Sequence, residues 1–152
     1  MSSPFAELEG KLERIPLNRS TVVRLLEKMD HDLDAAEFNR EKAPDWVVKM
    51  AHQAVLGGCT ALMAAHGYRP RVNGHHYVTV RFAQLALPQH KALLDRAEML
   101  RRRRHQVTYD TAYVVSEEEV KGTLELGHQL ALILREATLK VLAQAGGNKF
   151  PS

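Results

Sequence analysis

The segment HHYVTVRFAQLAL, residues 75–87, admits two structures, and the choice separates a mixed fold from a helical one. Val78, Val80 and Phe82 alternate as in a strand, whereas Val78, Phe82 and Leu85 follow one face of a helix. A lone strand needs a partner, and no other segment offers one, so helix is the consistent reading. The flanks agree. GYRPRVNG, residues 67–74, is turn chemistry, and Pro88 closes the segment.

Upstream, Val22, Leu26, Met29, Leu33 and Ala36 form a single stripe, which predicts a helix capped by Ser20 and running to about Arg40. Pro44 and Asp45 open a second helix carrying Trp46, Val47, Met50, Ala51, Ala54, Val55, Leu62 and Ala65, which stops at Gly67. Trp46, Met50 and Met63 are expected in the core. Gly57 and Gly58 interrupt this helix at about 1 kcal/mol each, which predicts close approach of another backbone. Before all of this, Phe5, Leu8, Leu12 and Ile15 recur at helical spacing between Pro4 and Pro16, so residues 1–19 read as an arm or short helix.

Downstream, Leu93, Ala97 and Leu100 define a further helix whose stripe continues onto Arg104. Ser116 and Glu119 have the spacing of a capping box. They open a long helix through Val120, Leu124, Ala131, Leu134 and Val141, which ends before Gly146 and Gly147. His128 lies on its apolar face and is expected to be a satisfied core histidine. The sum is all-α: an up-and-down bundle of four to five helices over residues 20–144, with residues 145–152 a flexible tail.

At 152 residues the chain has the length of one domain, and 45% hydrophobic and 26% charged residues are ordinary globular values. The net charge of +3 is too mild to argue for nucleic acid by itself. Cys59 is a single cysteine, so no intrachain disulfide forms, and a cytoplasmic setting is expected. The N-terminal stretch carries acids where a secretion signal needs an apolar run, and no uninterrupted apolar run is long enough to span a membrane.

Charge is concentrated in one place. Arg101, Arg102, Arg103 and Arg104 run into His105, Gln106, Val107, Thr108, Tyr109 and Asp110. On a helix, Arg101 neighbours His105, and His105 neighbours Tyr109. Arg104, on the apolar stripe, is expected to face the bundle or a partner subunit, where a guanidinium needs a mate. Asp110, Glu117 and Glu118 are internal candidates; a ligand phosphate, gripped bidentately, is the other. The run can also be read as a solvated face near a helix C-terminus, favoured by the helix dipole, and Tyr109 as a core or interface aromatic. His75 and His76, with His52 and His66 as mates, suggest a metal, but adjacent histidines at a helix start point apart and no acid or cysteine joins them. No metal or cofactor is expected. Phosphate-cradling glycine loops and a nucleophile triad are absent from the sequence.

The order helix, helix, GYRPR, HH, helix, then Arg104-x4-Tyr109-Asp110 and an acidic start to a long Ala/Leu helix, resembles the HEPN superfamily over roughly residues 20–141. It is most similar to small prokaryotic members whose late helix carries an arginine followed by Tyr-Asp. The resemblance implies a homodimer in which two motif helices face across a cleft. It also implies binding of RNA or nucleotides, an endoribonuclease or toxin–antitoxin role, and in some members a nucleotidyltransferase partner. Carried over residue by residue, Arg104 matches the motif arginine, His105 the polar residue after it, and Tyr109 takes the place of a catalytic histidine. Arg101, Arg102, Arg103, Asp110 and His76 would line the cleft. The tyrosine is a departure, because imidazole titrates near ~6.5 and a phenol near ~10. A phosphate-binding cleft therefore carries over more securely than cleavage. A non-catalytic binding module and a helical adaptor for acidic protein surfaces are the competing readings.

Overall fold

The computed structural model describes residues 3–72 and 76–149. Five helices make the body: α1 (Arg19–Phe38), α2 (Pro44–Ala65), α3 (His76–Ala86), α4 (Lys91–Tyr109) and α5 (Glu117–Lys149). The ambiguous segment is helical, with Val78 and Phe82 fully buried as its helical face requires. His75 lies outside the described residues.

The predicted stripe of α1 is buried at every position, from Val22 to Ala36. Its cap is Asn18, not Ser20: the Asn18 side chain accepts a hydrogen bond from the Thr21 backbone N–H at 3.1 Å. Extended backbone at Asn18 brings its amide oxygen into reach, while the Ser20 hydroxyl lies inside the helix and accepts from Arg24.

α2 touches each of the other four helices. By length and a mean hydropathy of 1.2 it could cross a membrane, yet most of that stretch is buried within the bundle. Trp46 sits at its first turn, outside the bundle, and is 51% exposed, so it is not a core residue; Met63 is fully buried. The two glycines differ. A Cβ on Gly58 would lie 2.7 Å from Met29 Sδ and 2.9 Å from Leu134 Cδ1, so side chains of α1 and α5, not a backbone, crowd it. A Cβ on Gly57 would meet nothing within 4 Å. Gly57→Ala is therefore expected to raise the unfolding free energy by about 1 kcal/mol. Gly58→Ala is expected to lower it by about 1 kcal/mol or more, since overpacking outweighs the gain in helix propensity. Urea unfolding of the two variants checks this.

α1 runs antiparallel to α5. Arg19 donates to the Leu142 carbonyl at 2.8 Å, Asp30 pairs with Arg135, and His128 Nε2 lies 3.0 Å from Glu37. His128 is thus a half-exposed partner of α1, not a core histidine, because it falls at the edge of the apolar face. α5 continues through Gly146 and Gly147 to Lys149, further than its glycines suggest. Residues 145–149 of the expected tail are helical, and residues 150–152 lie outside the described residues.

The N-terminal arm is not a helix. After a short 3-10 turn at Ala6–Leu8, β1 (Leu12–Arg14) pairs antiparallel with β2 (Tyr68–Pro70), which lies in the expected turn region. Gly67 takes a positive φ of 84°, bringing β2 back against β1. Phe5 stacks on Phe82 at 4.0 Å, Leu8 is fully buried, and Glu7 pairs with Arg81 at 2.5 Å. The arm therefore clasps α3, the helix that begins with His76.

Candidate functional site

Consecutive helical residues are about 100° apart, so four arginines in a row cannot share one face. The structure gives them different surroundings. Arg101 turns back on Glu98, with Nη2 and Nε at 2.7 and 2.9 Å from Oε1. Its guanidinium holds the Glu98 carboxyl below the usual carboxylate range. Arg102 reaches the same carboxylate at 3.8 Å and is mostly exposed. Arg103 turns inward: its Nη1 donates to the Tyr113 hydroxyl at 2.6 Å, and that hydroxyl donates to Glu119 at 2.7 Å. Arg103 and Glu119 also form an ion pair at 3.6 Å.

Arg104 remains. The buried face of α4 starts with Leu94, Ala97 and Leu100, with Leu93 half-buried, and then rolls onto Arg103 and Val107. Val107 packs on the cluster of Val47, Val48 and Val120. That roll leaves Arg104 exposed, not turned into the bundle as its spacing from Ala97 suggests. Among the described residues its guanidinium forms no ion pair. The acids expected as mates do not reach it, and Glu119, the α5 acid that engages the run, goes to Arg103. Glu119 consequently completes only half of the capping box: its N–H donates to Ser116 Oγ at 3.1 Å, while its carboxylate serves Tyr113.

The charge of Arg104 falls on two histidines from other helices. His52, on α2, is 6% exposed, and His76 opens α3 half-buried. Their rings lie 5.8 Å apart at 48°. Among the described residues His52 has no hydrogen-bond partner. Burial, then Arg104, pushes its pKa down to about 4, and burial, then Arg104 and Arg101, lowers that of His76. His52 therefore stays neutral in the folded protein well below pH 6.5. The unfolded chain binds a proton at His52 near pH 6.5 and the folded chain only near pH 4. Stability is complete above pH 6.5 and falls as pH drops toward 4, by on the order of 3 kcal/mol from this residue. Thermal melts from pH 8 to 4 should show that loss, and His52→Gln should flatten it.

The other motif residues lie on the outer side of α4. His105 and Tyr109 meet there with ring centroids 4.7 Å apart, and Tyr109 is 74% exposed, so it is not a core aromatic. Asp110 ends the helix; its carboxylate accepts from the Ala112 N–H at 3.0 Å. A shallow hollow of about 670 Å3 on this side is lined by Met99, Arg101, Arg102, Arg103, His105 and Gln106, all from one helix. Within one chain, then, the charge of Arg104 bears on His52 and His76, His105 and Tyr109 pair elsewhere on α4, and Arg103 and Asp110 serve the fold. His52, named from the sequence only as a possible metal-binding mate of His75 and His76, does lie beside His76, and its position within a buried helix, as a polar residue among alanines and valines, marks it further. Among the described residues no group of three histidines, cysteines or acids could hold a metal ion.

A family model described as HEPN domain matches residues 22–136, from the first turn of α1 to the middle of α5. No curated protein and no solved structure matches the chain.

Proposed function

The chain belongs to the HEPN domain family, and from that premise we propose that it binds the phosphate groups of RNA or nucleotides at the cluster of Arg104, His52 and His76, as a homodimer. The observation that carries this reading is a guanidinium without an ion-pair partner beside two neutral imidazoles at the junction of three helices. A guanidinium grips phosphate oxygens bidentately, and neutral imidazoles can donate hydrogen bonds without repelling it. Arg101 and Arg102 extend the positive field along α4 once an anion competes with Glu98. The hollow on the outer side of the helix favours a second copy, because all its walls come from α4 and a facing helix would supply the opposite one.

Binding of a labelled single-stranded RNA between 50 and 200 mM salt tests the reading. We expect log affinity to fall linearly with log salt, and the slope to flatten when Arg101, Arg102 and Arg104 are replaced by glutamine. A slope that is flat in the intact protein excludes it. Sedimentation of the same protein tests the dimer.

A second reading, metal-independent RNA cleavage, is favoured by the contact between His105 and Tyr109 one turn from Arg104. In a dimer Arg104 of one copy would stabilise the phosphorane, and His105 would pass the proton. Incubation with RNA in excess chelator from pH 6 to 9 decides it: intact RNA throughout leaves the protein a binding module.

A further inference from the structure

A phosphodiester carries one negative charge, and Arg104 balances it. A terminal phosphate carries nearly two at neutral pH. Arg101 cannot supply the second positive charge without giving up Glu98, which it holds at 2.7 Å. Arg103 is committed to Tyr113 and Glu119. Arg102 already leans on the same Glu98 carboxylate at 3.8 Å, and a further source, next to Arg104 itself, is a proton on a histidine that feels its charge. His52 is nearly all buried, lacks a hydrogen-bond partner among the described residues, and sits 5.8 Å from the ring of half-buried His76. We propose that the His52–His76 pair is a proton-linked subsite that takes up one proton when a dianionic phosphate, the end of an RNA or a free nucleotide, settles against Arg104.

The proposal rests on the phosphate-binding reading and adds to it a preference for terminal over internal phosphates and a regulation by pH. The groups acting on His52 are Arg104, Arg101 and Glu98 from α4 and His76 from α3. On α1 the buried acid, Asp32, is bonded to Lys28 and Gln53, and on the α5 side Ala51 faces Gly127. Burial and the two arginines hold both imidazoles toward the neutral form. An anion on Arg104 cancels most of that repulsion and offers the charged imidazole a partner, so the proton becomes favourable. Binding and protonation are then linked in both directions.

Sulfate is a suitable probe, because it stays dianionic over the range in which histidine titrates. The imidazole resonances of the intact protein, followed by NMR from pH 8 to 4.5, should show the midpoint of His52 or His76 rising by about one unit with sulfate. Sulfate affinity should accordingly rise by about tenfold toward low pH. His76→Gln, at a half-exposed position, and His52→Gln should each weaken that rise, with helicity confirming that both fold. A trinucleotide with a 5′-phosphate should gain over its 5′-hydroxyl counterpart at pH 6 more than at pH 8. AMP binding as tightly as the phosphorylated trinucleotide identifies a nucleotide as the ligand; tighter trinucleotide binding identifies an RNA end. Sulfate that binds without moving either midpoint overturns the proposal and leaves the phosphate-binding reading intact, as does a rise that survives in both variants. Failure of sulfate and both trinucleotides to bind at any pH overturns the phosphate-binding reading itself.

Discussion

Arg104→Ala is expected to weaken binding of a short single-stranded RNA by between about tenfold and about a hundredfold, with no loss of stability. A hydrogen bond to a charged group contributes about 1.5–3 kcal/mol, and about 1.4 kcal/mol is a factor of ten. Nothing in the fold depends on this side chain: it is exposed and forms no ion pair among the described residues. Its removal also relieves the repulsion that lowers the pKa of His52 and His76, so melts near pH 5 should hold steady or improve. Arg103→Ala should do the reverse. That guanidinium ties α4 to Tyr113 and Glu119, and losing it leaves a mostly buried carboxylate with the tyrosine hydroxyl alone. Anisotropy titrations beside thermal melts separate the two. If Arg103→Ala costs binding and Arg104→Ala does not, the Arg104 cluster is not the site.

Phe82→Ala is expected to cost about 3–5 kcal/mol of unfolding free energy, the usual loss for a large aromatic removed from a packed interior. For a domain whose whole stability is about 5–15 kcal/mol, that is a large fraction. Phe82 is fully buried and meets Phe5 at 4.0 Å, His66 at 5.5 Å and Tyr68 at 5.9 Å. Together with the Glu7–Arg81 pair, it ties the N-terminal arm, the end of α2 and β2 to α3. Because α3 begins with His76, the loss should reach the His52–His76 pair as well, and RNA affinity should fall even where the variant remains folded. Guanidinium unfolding gives the first quantity. Titration at a temperature where helicity is retained gives the second.

The helical body was legible because its packing is written in local spacing. Val22 to Ala36, and Val78 with Phe82, are buried where a 3.6-residue period puts them. The arm was not, since β1 and β2 are three residues each and pair across more than fifty positions; neither carries an alternation long enough to read. The helical spacing of Phe5, Leu8 and Leu12 has another origin: all three face the cluster around Phe82 from a turn and a strand. At the candidate site, spacing identified the charged helix but not the fate of each arginine. Arg104 shares the angular position of Ala97, yet the end of α4 rolls toward Val107 and Tyr113, and this depends on residues of α2 and α5 far away in sequence. His76 was legible from the family resemblance. His52 was legible only as a possible metal-binding mate of His76; its burial beside Arg104 and His76 depends on how α3 and α4 pack on α2.

Cys59 is fully buried, and burial pushes its thiol up to about 12, so it is inert as a nucleophile while the protein is closed. It sits one residue beyond the tight Gly58 contact, in the cluster shared by α2, α3, α4 and α5. A thiol-specific dye can therefore attack only a molecule whose helices have parted. The rate of colour development at neutral pH becomes a clock for opening of the interior, read at a thiol intrinsic to the chain. Slower labelling in the presence of a ligand would report that the ligand holds the helices together.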